Sequence, residues 1–151
     1  MSNCCQQTLS ISIKFKDKKV YEKFDHIKVG DWIDLRVNET TTLRKGEFKM
    51  IDLGVAMELP EGYEAYVVPR SSLFKRYGII QTNSIGIIDN SYSGDRDWWK
   101  FPAYPTKDIT LLKGTRICQF RVMKNQPEII FNVVDELGNE DRGGFGSTGE
   151  K

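Results

Sequence analysis

The sequence predicts an all-β sandwich or barrel that contains one short helix. Two observations favour this class: short apolar stretches recur along the 151 residues, and turn residues separate them at short intervals. A third is that only residues 71–77 have the pattern of a helix. A chain of this length suits one domain.

The first half of the chain contains most of the clearly alternating segments. Residues 9–15 alternate apolar and polar side chains, as a half-buried strand does. Residues 38–42 are a loop or a weak strand, and residues 16–29 are charged and show no clear pattern. The other strands predicted in this half are residues 32–37, two pieces of 48–59 on either side of Gly54, and 63–68.

The predicted helix begins near Ser71 or Ser72, either of which is a suitable N-cap, and it ends at Gly78. A β-hairpin follows, in which residues 79–81 and 85–88 flank a polar tip. Further strands are predicted at residues 98–104, 109–112, 117–123 and 129–134. From Gly138 the chain is rich in glycine and polar residues. We therefore expect a β domain at 1–137 and a flexible arm at 138–151.

Composition excludes several classes of function. Lys and Arg number 22 against 21 Asp and Glu, and this balance argues against nucleic-acid binding. No apolar run approaches the length of a membrane span, and the N-terminus does not have the pattern of a secretory signal. The expectation is a cytoplasmic protein with neither a nucleic-acid nor a membrane partner.

Two polar clusters in the first half interrupt the β pattern. Asp34 lies inside a predicted strand, where it either faces solvent or belongs to a site. Arg70, Ser71 and Ser72 stand at the predicted start of the helix. A guanidinium, two hydroxyls and helix N–H groups would suit a phosphate, although simple helix capping explains the serines equally well.

Two more clusters follow in the second half. Asn83 occupies the hairpin tip, and Asp89 and Tyr92 come where the next strand ends. These positions also suit ordinary turn residues, but a carboxylate at a strand end is well placed to act as a general base. Residues 114–119 enter another strand, where Gln119 either faces solvent or contributes to a site.

The fifth cluster is the arm, in which Phe145 is the single aromatic residue among several glycines. It is either a disordered end or a segment that closes over a ligand: Phe145 would stack on a ring, while Ser147, Thr148 and glycyl N–H groups would surround an anion. Together the clusters contain parts for binding phosphates, a part for stacking and one carboxylate at the end of a strand that could act as a general base. A nucleoside triphosphate is the natural ligand for this set.

All five clusters, in this order, resemble the five motifs of the trimeric dUTP diphosphatases (dUTPases), over residues 30–149. The resemblance is greatest to members from low-GC Gram-positive bacteria and their prophages. The most specific matches are Pro69-Arg70-Ser71-Ser72, Gly86-Ile87-Ile88-Asp89 with Tyr92 and Gly94-Asp95, the run from Gly114 through Arg116 and Ile117 to Gln119, and Gly143-Gly144-Phe145-Gly146-Ser147-Thr148-Gly149.

The resemblance implies a homotrimer of distorted jelly-roll subunits whose active sites are shared between chains. The implied reaction is Mg²⁺-dependent hydrolysis of dUTP to dUMP and pyrophosphate. It would remove dUTP from the DNA precursor pool and supply dUMP for thymidylate synthesis.

The resemblance also assigns roles by matching position. Asp89 would activate a water, and Asp34 would contact Mg²⁺ through a water. The residues that would bind substrate are Asn83, Gly86 and Ile88 at the uracil, Tyr92 under the deoxyribose, Ser71, Ser72 and Gln119 at the phosphates, Arg70 in support, Arg142 at the γ-phosphate, and Phe145, Ser147 and Thr148 in the arm.

The sequence departs from the family pattern in two places, and two alternative functions stay open. Trp32 and Ile33 stand where the family has Gly-Tyr, and residues 95–102 are unusually aromatic. Trp98 or Trp99 either helps to cover the nucleotide or packs within the fold. The alternatives are a deaminase of the dCTP deaminase type and a nucleotide-responsive binding protein that switches a regulatory protein partner.

Overall fold

The computed structural model describes residues 8–24, 30–146 and 149, and its regular elements are almost all β-strands. In this part of the chain there are eleven strands and one α-helix, α1 (Leu73–Tyr77). The strands are β1 (Ser12–Phe15), β2 (Ile33–Arg36), β3 (Thr41–Leu43), β4 (Lys49–Asp52), β5 (Val55–Glu58), β6 (Tyr63–Pro69), β7 (Ile79–Gln81), β8 (Gly86–Ile88), β9 (Lys100–Pro105), β10 (Ile109–Leu111) and β11 (Arg116–Lys124).

The strands form four antiparallel sheets. The largest has the order β2-β11-β6-β8, and a second has the order β4-β9-β7. Two-stranded ribbons, β1-β5 and β3-β10, complete the structure. The predicted all-β class is confirmed. No helix among the described residues is long and apolar enough to cross a membrane.

An aromatic group occupies the centre of the core. Trp99 is fully buried and meets Phe120 edge to face, with ring centroids 5.2 Å apart. Trp99 therefore packs within the fold, which excludes it as a cover for a nucleotide. Trp98 is only half-buried and lies beneath Lys14 and Lys16, whose ammonium groups are 5.3 and 4.9 Å from its ring centroid.

A short 3₁₀ helix at Lys18–Tyr21 lies within the segment whose sequence shows no clear pattern. It carries Tyr21 into the core, where the hydroxyl donates to the carbonyl of Leu53 (2.6 Å) and accepts from the N–H of Arg36 (2.9 Å). Burial raises the pKa of this phenol well above its ordinary value. Because this order comes from tertiary contacts, local sequence did not indicate it.

The predicted helix is confirmed, but its predicted cap is only partly so. Ser72 is the N-cap residue, and its side chain makes no capping hydrogen bond. Gly78 ends the helix in the left-handed conformation (φ 64°), and its N–H donates to the carbonyl of Phe74 at 2.8 Å. The Ser72 hydroxyl is therefore not used by the helix.

The predicted β-hairpin at residues 79–88 is wrong. Strand β7 pairs with β9, whereas β8 pairs with β6 in the other sheet. Residues 82–85 form the crossing between the two sheets, with Ser84 at φ 61°. Apolar stretches on either side of a polar turn do not reveal whether the strands pair with each other or with distant partners.

The predicted strand at residues 129–134 is also wrong for the single chain. The last backbone link to the β domain is from the N–H of Asn125 to the carbonyl of Gly62, at 2.9 Å. Beyond it, the described chain has no regular structure, and Ile130, Phe131 and Val133 are exposed. A strand needs a partner, and no strand within the described chain pairs with this segment.

Replacing Trp99 with alanine should lower the free energy of unfolding by about 3–5 kcal/mol, because it leaves a large cavity against Phe120. The matched change, Trp98→Ala, removes a half-buried ring and should cost less than about 1.5 kcal/mol. Urea unfolding followed by circular dichroism measures both. Equal losses would contradict the burial difference.

Candidate active site

Three of the predicted clusters meet at one edge of the four-stranded sheet. Asp34 on β2 lies directly opposite Gln119 on β11, and Gln119 lies opposite the end of β6. Arg70 follows β6, and its N–H donates to the carbonyl of Ile117 at 3.1 Å. The side chain of Gln119 donates to the carbonyl of Pro69 at 3.3 Å. Strand pairing thus joins residues that are 85 positions apart.

The Asp34 carboxylate bridges two arginines. Its Oδ1 lies 3.2 Å from Nε of Arg70, and its Oδ2 accepts from Nη1 of Arg116 at 3.1 Å. All three side chains remain partly exposed, so the guanidinium groups are oriented and still accessible to an anion. Arg116 was not assigned a role from the sequence. The sequence signal that could have indicated a role for Arg116 was its position within the fourth polar cluster, residues 114–119.

The arrangement around Asp34 fits contact with a metal through water better than direct ligation, because both carboxylate oxygens already face guanidinium groups. Among the described residues, no group of three or more His, Cys, Asp or Glu side chains is placed to hold a metal ion. Mg²⁺ commonly keeps several waters and binds substrate phosphates. The donor set is therefore compatible with a Mg²⁺ ion carried by a triphosphate.

Ser71 and Ser72 continue the same edge at the start of α1. A cleft of about 360 Å³ runs from Arg70 and Ser71 to Gln81 and Ser84. Its lining combines a guanidinium and hydroxyls with the apolar side chains of α1 and β7. The hydroxyl of Ser72, which does not cap the helix, is available to a ligand.

Asp89 lies immediately after β8, in a different cleft. Its Oδ1 accepts hydrogen bonds from the backbone N–H and the hydroxyl of Ser91, and the N–H bond measures 2.8 Å. These bonds hold the pKa of the exposed carboxyl below its ordinary value, with the hydroxyl contributing most. The carboxylate is therefore ionised at neutral pH.

The loop after Asp89 is closed by Tyr92, whose hydroxyl donates to the carbonyl of Trp98 at 3.0 Å. Partial burial, and then the nearby Asp97 carboxylate, raise the pKa of this phenol. The ring is partly exposed beside Asp89. Tyr92 therefore has a fixed position next to the predicted base.

The crossing between the sheets carries the residues predicted to read a base. Asn83 is exposed, and its Oδ1 accepts from Nε2 of Gln81 at 2.9 Å. Gly86 and Ile88 belong to β8, an edge strand that is paired only with β6 within the described chain. The edge of β8 that faces away from β6 can thus offer backbone groups to a ligand.

The described residues of the arm, 138–146 and 149, line neither cleft. Arg142 and Phe145 are exposed, and Phe145 has φ 52°. Nε of Arg142 donates to the carbonyl of the neighbouring Gly143 at 3.3 Å. Ser147 and Thr148 lie outside the described residues. The arm's flexibility and its role in closing a site stay predictions.

The two halves of the candidate site are too far apart to act on one phosphate within a single chain. Three strand spacings separate β2 from β8, which is about 14 Å across the sheet. Ile88 also pairs three residues along β6 from the position opposite Gln119, or about 10 Å along the strands. Asp89 and the Asp34–Arg70 group therefore serve different clefts of one subunit.

A sequence profile described as dUTPase matches residues 32–149, a range that includes all five polar clusters. The chain belongs to the dUTPase family. The resemblance drawn from the motifs is thus confirmed.

Curated relatives of this dUTPase-family chain agree with the profile. The chain is 57% identical over 143 residues to an SPbeta prophage-derived deoxyuridine 5'-triphosphate nucleotidohydrolase of Bacillus subtilis, with 95% of this chain and 100% of the relative covered. It is 43% identical over 108 residues to the corresponding enzyme of Escherichia phage T5, with 70% and 72% covered.

Solved dUTPases share the fold. One from Staphylococcus bacteriophage 80alpha, solved with dUpNHpp, superposes with a TM-score of 0.74 at 20% identity and covers 95% of this chain and 100% of its own. A mutant dUTPase of phage phi11 of S. aureus, which coordinates a structural Mg(II) ion, gives 0.71 at 15% identity, with 85% and 99% covered. The predicted jelly-roll type of β-sandwich is confirmed.

Replacing Ser91 with alanine should raise the pKa of the Asp89 carboxyl toward its ordinary value, because the hydroxyl that most stabilises the carboxylate is lost. A carboxyl ¹³C NMR titration measures this change, with Asp89→Asn used to identify the signal. Ser93→Ala, in the same loop, is the control and should leave the titration unchanged. An unshifted Asp89 titration in Ser91→Ala would contradict the assigned cause.

Proposed function

We propose that this chain hydrolyses dUTP to dUMP and pyrophosphate, and so removes dUTP from the pool of DNA precursors and supplies dUMP for thymidylate synthesis. The observation that carries the proposal is the match of a dUTPase profile across residues 32–149, with the ionised Asp89 carboxylate inside it. The high identity to the Bacillus subtilis prophage nucleotidohydrolase supports the same substrate.

In the proposed reaction, Asp89 orients a water for attack on the α-phosphorus and accepts its proton. The new bond joins the water oxygen to the α-phosphorus, and the bond between that phosphorus and the bridging oxygen of the β-phosphate breaks. Because the pKa of Asp89 is lowered, the carboxylate is ionised at neutral pH but is a weak base. Positioning and charge neutralisation therefore contribute most of the acceleration.

The phosphates would bind at the Asp34 edge of the sheet. Arg70, Ser71, Ser72 and Gln119 would contact them, and Arg70 is held in place by Asp34. Bound Mg²⁺ supplies neutralisation of phosphate charge. Asp34 would contact the metal through water, since both of its oxygens face arginines. The arm residues Arg142, Phe145, Ser147 and Thr148 would then cover the nucleotide.

The base and the sugar would bind near β8. Asn83, with the backbone of Gly86 and Ile88, would hydrogen-bond to uracil at the sheet edge, and fixed polar groups reject bases whose donors and acceptors differ. The Tyr92 ring would lie under the deoxyribose. Its hydroxyl is already bonded to Trp98, so the ring face, rather than the hydroxyl, would meet the sugar.

Active sites shared within a homotrimer would resolve the separation of the two halves. Asp89 of one subunit would then act on a phosphate held by the Asp34 edge of a neighbour. A second feature supports assembly: Ile130, Phe131 and Val133 are at least 80% exposed on the single chain. Contiguous apolar surface of this kind is typical of a segment that packs on another subunit.

The sequence also allowed two alternative functions. A dCTP deaminase is disfavoured by the dUTPase profile, and ammonia release from dCTP would reveal it. A regulatory protein partner stays a prediction, since no observation on the described residues favours one. Placement in the cytoplasm likewise stays a prediction from the sequence.

Pyrophosphate release with Mg²⁺ from dUTP, compared with dTTP, dCTP and UTP, tests the proposal. Hydrolysis should be selective for dUTP. Asp89→Asn should lower kcat by about 10²–10⁴-fold with little change in KM, because general-base assistance is lost while substrate contacts remain. Normal turnover in this variant would remove Asp89 from the role. A wild type that favours another nucleotide would overturn the substrate assignment.

Mixing two inactive variants tests the sharing of sites. Asp89→Asn and Ser72→Ala damage different halves, so trimers refolded from an equal mixture should regain about a quarter of wild-type activity. A site built within one chain would regain nothing. Mixtures of each variant with itself are the controls, and sedimentation or light scattering should report a trimer.

A further inference from the structure

Gln81, the last residue of β7, is a polar side chain that the proposed reaction does not use. It is only 5% exposed and lies where the chain passes between the two larger sheets. Its Nε2 donates to the carbonyl of Val67 on β6 at 3.0 Å and to Oδ1 of Asn83 at 2.9 Å. One buried amide thus joins the β6 backbone to the residue proposed to read the base.

These two hydrogen bonds determine which way both carboxamides point. A backbone carbonyl can only accept, so the group of Gln81 that faces Val67 must be its NH₂. The second proton of that NH₂ needs an acceptor, so Asn83 must present its oxygen to Gln81. The NH₂ of Asn83 is then directed away from Gln81. Hydrogen-bond chemistry thus fixes this orientation of the Asn83 carboxamide. Without Gln81, the side chain of Asn83 could point either its oxygen or its NH₂ in a given direction.

We infer that Gln81 is a positioning residue that selects the base by fixing Asn83 with its NH₂ group toward the ligand. This inference rests on the proposed function. An NH₂ donor matches the carbonyl oxygen at position 4 of uracil and is mismatched with the amino group at that position of cytosine. An unfixed Asn83 would rotate to offer its oxygen to that amino group, and selection would weaken.

The surroundings of Gln81 indicate that it is not present for packing alone. Its Oε1 is buried without a hydrogen-bond partner among the described residues, an arrangement that opposes stability. An apolar side chain of similar size would avoid that cost. Gly86 packs directly against this group: a Cβ there would lie 3.2 Å from Cβ of Val67, a tight contact, and 3.7 Å from Nε2 of Gln81, an ordinary one.

A double-mutant cycle tests the inference. Gln81→Met preserves length and removes the donor, Asn83→Ala removes the reader, and the third variant combines them. For Gln81→Met we expect KM for dUTP to rise about tenfold, because one well-oriented hydrogen bond is lost. The value of kcat should change less than about twofold. Inhibition by dCTP should be retained or strengthened. The double variant should match Asn83→Ala, because Gln81 acts only through Asn83.

Two kinetic results would overturn the inference while the wild type still hydrolyses dUTP. One is additive losses in the double variant, and the other is an unchanged preference for dUTP over dCTP in Gln81→Met. Thermal unfolding shows whether Gln81→Met folds, and Gln81→Leu is the second variant. Failure of both to fold would assign Gln81 to the scaffold and also overturn the inference. A wild type without dUTP hydrolysis would instead reject the proposed function.

Discussion

The carboxylate of Asp34 is the contact on which one half of the candidate site depends. It holds Arg70 and Arg116, which come from the end of β6 and the start of β11, and it stands on β2. Because all three groups are partly exposed, the ion pairs contribute little net stability. Their effect is on geometry: two flexible guanidinium groups are held at one sheet edge, where an anion can meet them without further ordering.

Strand β11 makes this contact possible. It lies between β2 and β6, so the side chains of Asp34, Gln119 and Arg70 converge around it. The same sheet order places β8, and with it Asp89, at the opposite edge. A rigid sheet cannot fold back to join its edges. The sheet order therefore supports the proposed sharing of sites between subunits, as the exposed apolar surface does.

The crossing between the sheets is held in a fixed position relative to β6. Residues 82–85 belong to no sheet, yet Gln81 ties them to the β6 backbone through Val67. The predicted hairpin would have placed β7 and β8 side by side. The observed crossing instead leaves β8 as an edge strand, with backbone groups open to a base. The error in the sequence prediction thus coincides with the place where the fold creates the proposed recognition surface.

Local pattern was sufficient for the all-β class, for α1 with its glycine end, and for the motifs that identify the family. These depend on alternation, turn chemistry and the residue types that phosphate and proton transfer require. Pairing partners, the burial of Tyr21 and Trp99, the Asp34–Arg116 contact and the orientation of Asn83 were decided only by tertiary structure. Each depends on at least one contact between residues 14 or more positions apart. A single sequence carries no record of which distant strand supplies the partner.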